Sequence, residues 1–131
     1  MLRIFLVDDN AMMRAHLRAV LERPEEWTVV GEAENGRRAV EAWSEHMPSL
    51  TVMDFVMPEM SGLEAGRSLS KQHPESPVLM VTIDPSPQLE DEAKKAGIKG
   101  LVQKADIGSL LKAVETVARG GTYFRQKLAA A

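Results

Sequence analysis

Short apolar runs alternate along the chain with stretches in which apolar residues recur at helical spacing. The runs are about five residues long and are bounded by turn-forming residues, a pattern typical of strands buried in a parallel sheet. They cover residues 3–7, 27–33, 50–54, 78–82 and 100–104. The stretches between and after them present one apolar and one polar side, which predicts a helix after each strand.

Cap residues, glycines and prolines mark where these helices begin and end. The first helix is predicted from residue 11 to Pro24, with Leu17 and Val20 facing the core and Arg14 and Arg18 on the polar side. The second helix is predicted between Asn35-Gly36 and Pro48, the third over 63–73, the fourth from Asp84-Pro85-Ser86-Pro87 to Gly97, and the fifth from Asp106 to Gly120-Gly121.

This alternation of strands and helices predicts an α/β fold. It is a three-layer, doubly wound (βα)5 unit whose five-stranded parallel sheet is covered by helices on both faces. The carboxyl ends of all strands then lie at one edge, where ligands of such sheets bind. The polar residues expected to share that edge are Asp8, Asp9, Asp54, Thr82 and Lys104.

The composition narrows the range of functions. The chain has 131 residues, of which 44% are hydrophobic and 27% charged, and this suits one soluble domain. A net charge of −3 does not suit a nucleic-acid surface, and the absence of cysteine excludes disulfides, zinc–thiolate sites and thiol catalysis. Since no apolar run approaches the ~20 residues of a membrane span, we expect a cytoplasmic protein that does not contact the membrane.

The clustered carboxylates point to a cation and to phosphoryl chemistry. Three carboxylates at one edge repel one another, and oxygen ligands of this kind suit Mg²⁺, with Mn²⁺ as a substitute. A carboxylate such as Asp54 can also attack phosphorus and form an acyl phosphate. The Lys104 ammonium and the Thr82 hydroxyl are then candidates to contact the oxygens of the transferred group.

Simpler interpretations of the same residues stay open. Asp8 or Asp9 could cap the first helix, because aspartate favours that position. Thr82 could be an ordinary strand-end residue, and Lys104 could be a solvated surface charge.

Four separated motifs resemble the signature of response-regulator receiver domains, in order and at the expected spacing. They are Val7-Asp8-Asp9-Asn10, the stretch from Met53-Asp54 to Ser61-Gly62, Val81-Thr82 and Gln103-Lys104. The resemblance covers roughly residues 2–121. It implies the strand order 2-1-3-4-5 of the flavodoxin-like, CheY-like fold.

The resemblance also implies a role for each residue of the sheet edge. Asp54 would be the phosphoacceptor, and Asp8 and Asp9 would hold Mg²⁺ together with Asp54 and the backbone carbonyl of Val56. Thr82 would supply a hydroxyl that moves toward the phosphoryl group, and Lys104 would pair with that group.

Partners follow from the resemblance as well. The phosphoryl donor would be a histidine kinase or a phosphotransfer protein, and the chain would not be an enzyme, because it only accepts and slowly loses its own phosphoryl group. Residues 104–114 and 119–124 resemble receivers that precede a LuxR-type helix-turn-helix domain. We therefore expect a transcription regulator that meets DNA only through a missing carboxyl-terminal domain, with a homodimer formed on phosphorylation as one expected assembly.

The expected boundaries are a receiver domain at 1–124 and a short remainder at 125–131. The remainder is interpreted as a linker stub followed by a tail, Lys127-Leu128-Ala129-Ala130-Ala131, that resembles translated vector sequence. A native reading frame that matches through Ala131 would contradict this interpretation.

Several positions depart from the habit of the family, and two of them bear on switching. Ile83 stands where a small residue usually follows the switch hydroxyl, and its bulk is expected to narrow access to Asp54 and slow phosphorylation, hydrolysis or both. Leu101 stands where an aromatic residue usually changes rotamer on activation. The switch is therefore expected to reach the surface of the fourth helix, fifth strand and fifth helix by another route.

Two other functions compete with the receiver interpretation. The first is a Mg²⁺-dependent aspartyl-phosphate phosphatase. Such enzymes, resembling the haloacid-dehalogenase group, carry Asp-x-Asp on the first strand, whereas Asp54-Phe55-Val56 on the third strand lacks the second acid. The second is a receiver-like binding module that acts by contact alone, and it would neither bind Mg²⁺ nor respond to a phosphoryl mimic.

Overall fold

The computed structural model describes residues 1–124, in which five strands alternate with five helices. The strands are β1 (Leu2–Val7), β2 (Trp27–Ala33), β3 (Leu50–Asp54), β4 (Val78–Thr82) and β5 (Gly100–Gln103). The helices are α1 (Ala11–Leu21), α2 (Gly36–His46), α3 (Gly62–Gln72), α4 (Pro87–Lys95) and α5 (Ile107–Ala118). Every predicted element is confirmed in type, and the ends differ from prediction by a few residues, as helix and strand ends commonly do.

All five strands run parallel in one sheet of order β2-β1-β3-β4-β5. The predicted fold class and the strand order implied by the resemblance are thus confirmed. Val7 pairs with Met53, and Asp54 pairs with Val81 on the next strand. Since these pairs stand at the carboxyl ends of their strands, the residues that follow them meet at one edge of the sheet.

Two apolar clusters lie on opposite faces of the sheet. One joins Phe5 and Met53 to residues of α2, α3 and α4, with Trp43 as its largest helical contribution. The other joins Ile4 and Val52 to residues of α1 and α5. The side chains of β3 and β4 are buried along their whole length. This confirms the prediction of a sheet covered on both faces. Within β3, chemistry is then left to the polar residue at the carboxyl end, Asp54.

Each helix begins at a side-chain cap. The cap residues are Asn10, Asn35, Ser61, Ser86 and Asp106, and each accepts a hydrogen bond from the backbone N–H three residues later. The prediction for Asp106 is confirmed. The alternative in which Asp8 or Asp9 caps α1 is wrong, because Asn10 occupies that position and leaves both carboxylates for another role.

Gly62 fixes the loop that leaves β3. Its N–H donates to the Phe55 carbonyl at 2.8 Å, which closes the loop on itself. A side-chain carbon at position 62 would overlap the Asp54 carbonyl oxygen. The sequence therefore needs glycine here to let α3 begin directly against the backbone of the predicted phosphoacceptor.

After α5 the chain returns to the open edge of the sheet as a short segment, residues 122–124, which we name the terminal strap. The Tyr123 N–H donates to the Lys99 carbonyl at 2.9 Å, and the Tyr123 carbonyl accepts from the Leu101 N–H at 3.0 Å. The Phe124 ring lies 5.0 Å from the Lys94 ammonium. Residues 125–131, assigned above to a linker and a vector-derived tail, lie outside the described residues.

Within residues 1–124, the helices are too short or too polar to cross a membrane.

Candidate functional site

The predicted acidic residues meet at the carboxyl edge of the sheet. Asp8 directly follows β1, Asp9 begins the turn into α1, and Asp54 ends β3. One carboxylate oxygen from each of them lies within 4.8 Å of the other two. Asp8 is fully buried and Asp54 is 4% exposed, whereas Asp9 faces solvent. The cluster is therefore open on the side of Asp9 and closed toward the core.

Lys104 supplies the positive charge of this cluster. Its ammonium nitrogen lies 2.7 Å from Asp8 Oδ2 and 3.2 Å from Asp54 Oδ2, and only 9% of the residue is exposed. It stands one residue beyond β5, whose last pair aligns Gln103 with Thr82. The prediction that Lys104 belongs to the edge rather than to the solvated surface agrees with these distances.

Thr82 and Val56 complete the predicted set at the same edge. Thr82 ends β4 with 3% exposure, and its backbone carbonyl accepts from the Lys104 N–H at 2.7 Å. Val56 lies in the loop after β3, two residues beyond Asp54, with its side chain 67% exposed. The roles of the Thr82 hydroxyl and the Val56 carbonyl stay predictions.

Burial and the nearby charges of opposite sign shift the pKa values of Asp54 and Lys104 in opposite directions. Burial raises the pKa of Asp54 above its ordinary value, the nearby Lys104 ammonium lowers it, and Asp8 and Asp9 raise it further, so the balance is a raised pKa. For Lys104, burial lowers the pKa, but the contacts with Asp8 and Asp54 outweigh burial and raise it. The contacts with Asp8 and Asp54 therefore hold the lysine in its protonated form.

The donor set suits a small divalent cation. Three carboxylates carry more negative charge than one ammonium group neutralises, and oxygen ligands are those that Mg²⁺ prefers. Asp8 Oδ2 is buried and receives no well-aligned hydrogen bond from the described residues, despite its ion pair with Lys104. The residues at this edge thus fit a hard cation that adds positive charge on the side of Asp9.

The backbone of Asp8 is held by contacts that the sequence pattern did not reveal. The Asp8 N–H donates to the Ala33 carbonyl at 3.1 Å, and the Asn10 N–H donates to Asp8 Oδ1 at 2.9 Å. The Asp8 carbonyl accepts from Arg14 Nη1 at 2.7 Å. Sequence analysis placed Arg14 on the polar side of α1, and an arginine at such a position carries no signal that its partner is a backbone atom of the site.

The two departures from the family pattern lie in different surroundings. Ile83, next to Thr82, is 76% exposed, so its side chain stands at the surface beside the edge, and its effect on access to Asp54 stays a prediction. Leu101 is buried in the cluster that Phe124 also packs against. A surface cavity of about 820 Å³ is lined by Leu101, Tyr123 and Phe124 together with residues of β5 and α5.

Replacing Asp54 by Asn is expected to stabilise the metal-free chain near neutral pH. A carboxyl whose pKa is raised by folding binds its proton more tightly in the folded state, so its stabilising contribution exists below the ordinary value of 3.8 and is lost as the pH rises through the folded pKa. Above that range the ionised carboxylate opposes folding, and the amide does not. The urea midpoint of D54N in chelator should exceed that of the parent near pH 7.

The gain should shrink as the pH falls and vanish below 3.8, where the Asp54 carboxyl of the parent is protonated in both the folded and the unfolded state. Asp91→Asn, which removes an exposed carboxylate from α4, is the matched control and should leave the midpoint unchanged. A lower midpoint for D54N than for the parent at neutral pH would contradict the raised pKa.

Comparison with known proteins agrees with this geometry. The family model of the response regulator receiver domain matches residues 4–115. The chain is 32% identical over 128 residues to the transcriptional regulatory protein DegU of Brevibacillus brevis, covering 97% of this chain and 54% of DegU. It is 36% identical over 102 residues to the chemotaxis protein CheY of Thermotoga maritima, covering 78% of this chain and 84% of CheY.

Solved structures give the same result. A LuxR-family two-component response regulator from Aurantimonas sp. SI85-9A1 superposes with a TM-score of 0.90 at 31% identity, over 94% of this chain and 89% of that chain. The chain spans about half the length of the first curated relatives it matches. A family model that matches most of the chain, with relatives above 30% identity, shows that the chain belongs to the receiver domains of two-component response regulators.

Proposed function

We propose that this receiver is switched by phosphorylation of Asp54, with a histidine kinase or phosphotransfer protein as the donor. The observation that carries the proposal is the Asp54 carboxylate at the sheet edge, 3.2 Å from the Lys104 ammonium and clustered with two further carboxylates. A nucleophile, a cation-binding set and a fixed positive charge are the parts that phosphoryl transfer requires.

In the proposed transfer, a carboxylate oxygen of Asp54 attacks the phosphorus of a phosphohistidine. The new P–O bond forms an acyl phosphate, and the P–N bond breaks with its electron pair remaining on the imidazole nitrogen of the donor. The Asp54 side chain needs no proton removed for this step, because the ionised carboxylate is the nucleophile. Slow hydrolysis then breaks the P–O bond to Asp54, releases inorganic phosphate and returns the carboxylate. We expect no turnover on an external substrate.

Lys104 and Thr82 would hold the transferred group. The Lys104 ammonium is already at the edge and would exchange part of its contact with Asp54 for a phosphoryl oxygen, while the Thr82 hydroxyl would donate to another. Asp8, Asp9, Asp54 and the Val56 carbonyl would hold Mg²⁺. When bound, the ion neutralises charge on the phosphoryl oxygens.

The proposed output lies on the surface formed by α4, β5 and α5. Lys104 is the first residue beyond β5, so any change in its contacts acts on the strand that carries Leu101 and the terminal strap. DegU, to which the chain is similar, is a transcriptional regulatory protein, and this supports control of transcription through a DNA-binding domain that lies outside this chain. A phosphorylation-dependent homodimer is part of the same proposal.

A backbone-amide NMR titration tests the proposal. Mg²⁺ is added first, and beryllofluoride is then added as a stable stand-in for the phosphoryl group. We expect the amides of Asp8, Asp9 and Asp54 to shift with Mg²⁺, and those of Thr82, Lys104 and α4 to shift with beryllofluoride.

Other outcomes identify the alternatives. Absence of amide shifts with Mg²⁺ and with beryllofluoride would favour a module that acts by contact alone. Multiple turnover on small phosphate esters would favour the phosphatase.

A further inference from the structure

Arg14, on the polar side of α1, reaches the main chain of the acidic edge. Its Nη1 donates to the Asp8 carbonyl at 2.7 Å, and its Nε donates to Glu32 Oε1 on β2 at 2.8 Å. The side chains of Arg14 and Glu32 are 20% and 27% exposed, so the pair is largely shielded from water. One guanidinium group therefore joins three elements: α1, β2 and the turn after β1.

Arg18, one turn further along α1, provides an internal comparison. It pairs with the other oxygen of Glu32 and with Glu22, and it donates a hydrogen bond of 3.4 Å to the Val29 carbonyl. Both arginines thus share Glu32, but the hydrogen bond to the Asp8 carbonyl belongs to Arg14. Removing either one costs one ion pair with the same glutamate and one positive charge.

The hydrogen bond from Arg14 to the Asp8 carbonyl bears on the acidic cluster. The carbonyl belongs to the peptide unit that joins Asp8 to Asp9, so its direction sets the orientation of that peptide plane. The Asp8 N–H and carboxylate have their own partners, namely the Ala33 carbonyl, the Asn10 N–H and the Lys104 ammonium. Arg14 is therefore the side chain that holds the carbonyl of the peptide unit between two of the three clustered carboxylates.

We propose that Arg14 is a positioning residue for the cation site, acting through the Asp8–Asp9 peptide rather than through its charge. The inference rests on the proposed function in so far as the cation is Mg²⁺. Groups that orient metal ligands from behind typically contribute 10- to 100-fold to metal affinity. The charge of Arg14 acts in the opposite direction, because a guanidinium group near a cation site repels the cation.

Loss of the positioning contact should weaken Mg²⁺ binding, whereas loss of the positive charge should strengthen it. Measured Mg²⁺ affinities can therefore distinguish the two effects. The Mg²⁺ dissociation constant is measured by calorimetry or amide shifts for the parent chain, Arg14→Gln, Arg14→Lys and Arg18→Gln. We expect Arg14→Gln to weaken Mg²⁺ binding by about 10-fold or more, although it removes a repelling charge. Arg18→Gln, which loses the same glutamate contact and the same charge, should bind Mg²⁺ as well as the parent or slightly better.

Arg14→Lys should recover part of the affinity, because an ammonium group can donate to the Asp8 carbonyl but lacks the two separate nitrogens with which Arg14 contacts Asp8 and Glu32 at once. This variant also keeps the test informative if Arg14→Gln proves too unstable to titrate. Affinity in Arg14→Gln or Arg14→Lys equal to that in Arg18→Gln would overturn the positioning role and leave the proposed function intact. A parent chain that binds no Mg²⁺ would instead overturn both.

Discussion

Asp54→Asn is expected to take up no phosphoryl group from acetyl phosphate or a phosphorylated donor protein in the presence of Mg²⁺. The amide has nearly the same shape as the carboxylate, but its oxygen is neutral and lacks the nucleophilicity needed to form an acyl phosphate. The variant should also be at least as stable as the parent without metal, for the reason given by the raised pKa of Asp54. Loss of labelling then cannot be attributed to unfolding. Intact-mass spectrometry after a fixed incubation measures the effect.

Asp91→Asn, on the exposed side of α4, serves as the control and should be labelled like the parent. Labelling that persists in D54N would contradict the assignment of Asp54 as the phosphoacceptor. In that case the labile phosphoryl group should be mapped by peptide, beginning with Asp8 and Asp9, which share the cluster.

Lys104→Met is expected to produce the largest loss of stability. The substitution keeps the length and most of the apolar stem of the side chain but removes the positive charge that contacts Asp8 and Asp54. Deleting one partner of a buried ion pair leaves the other charge uncompensated and typically costs about 3 to 5 kcal/mol. Urea unfolding in chelator should show a loss of this order in the free energy of unfolding.

Mg²⁺ should restore part of the stability of K104M, because a cation that binds only the folded chain stabilises it by mass action. The same variant should bind Mg²⁺ more tightly than the parent, since Lys104 no longer competes for the carboxylates. Lys99→Met, at an exposed position just before β5, is the control and should unfold like the parent. Equal stability of K104M and the parent in chelator would show that the ion pairs do not stabilise the fold.

The fold could be predicted from the sequence because several independent features of the hydrophobic pattern indicate the same elements. Each apolar run is short and bounded by turn residues, and the stretch after each run has a clear helical period. A parallel sheet then forces the strand ends to one edge, so Asp8, Asp54 and Lys104 could be grouped without knowing any strand order. The order itself came from the resemblance, since periodicity carries no information about which strands are neighbours.

Side-chain contacts between elements could not be predicted from the sequence in the same way. Arg14 and Arg18 have the same residue type and lie on the same polar side of α1, yet one contacts the backbone of Asp8 and the other does not. The choice of Asn10 over Asp9 as the cap depends on backbone angles at one turn. Sequence spacing places a residue on a face, but it does not say which atom of a neighbouring element lies within reach.

The terminal strap covers part of the outer edge of the sheet, with a consequence for association with other polypeptides. β5 is the outer strand of the sheet on its side, and an uncovered outer strand offers free N–H and C=O groups on which a second chain can assemble. In this chain the Leu101 N–H and the Lys99 carbonyl are instead satisfied by Tyr123. A version shortened to Gly121 would expose both groups beside an apolar surface that Phe124 now partly covers. We therefore expect a chain that ends before the terminal strap to associate through the edge of β5 more readily than the chain that keeps it.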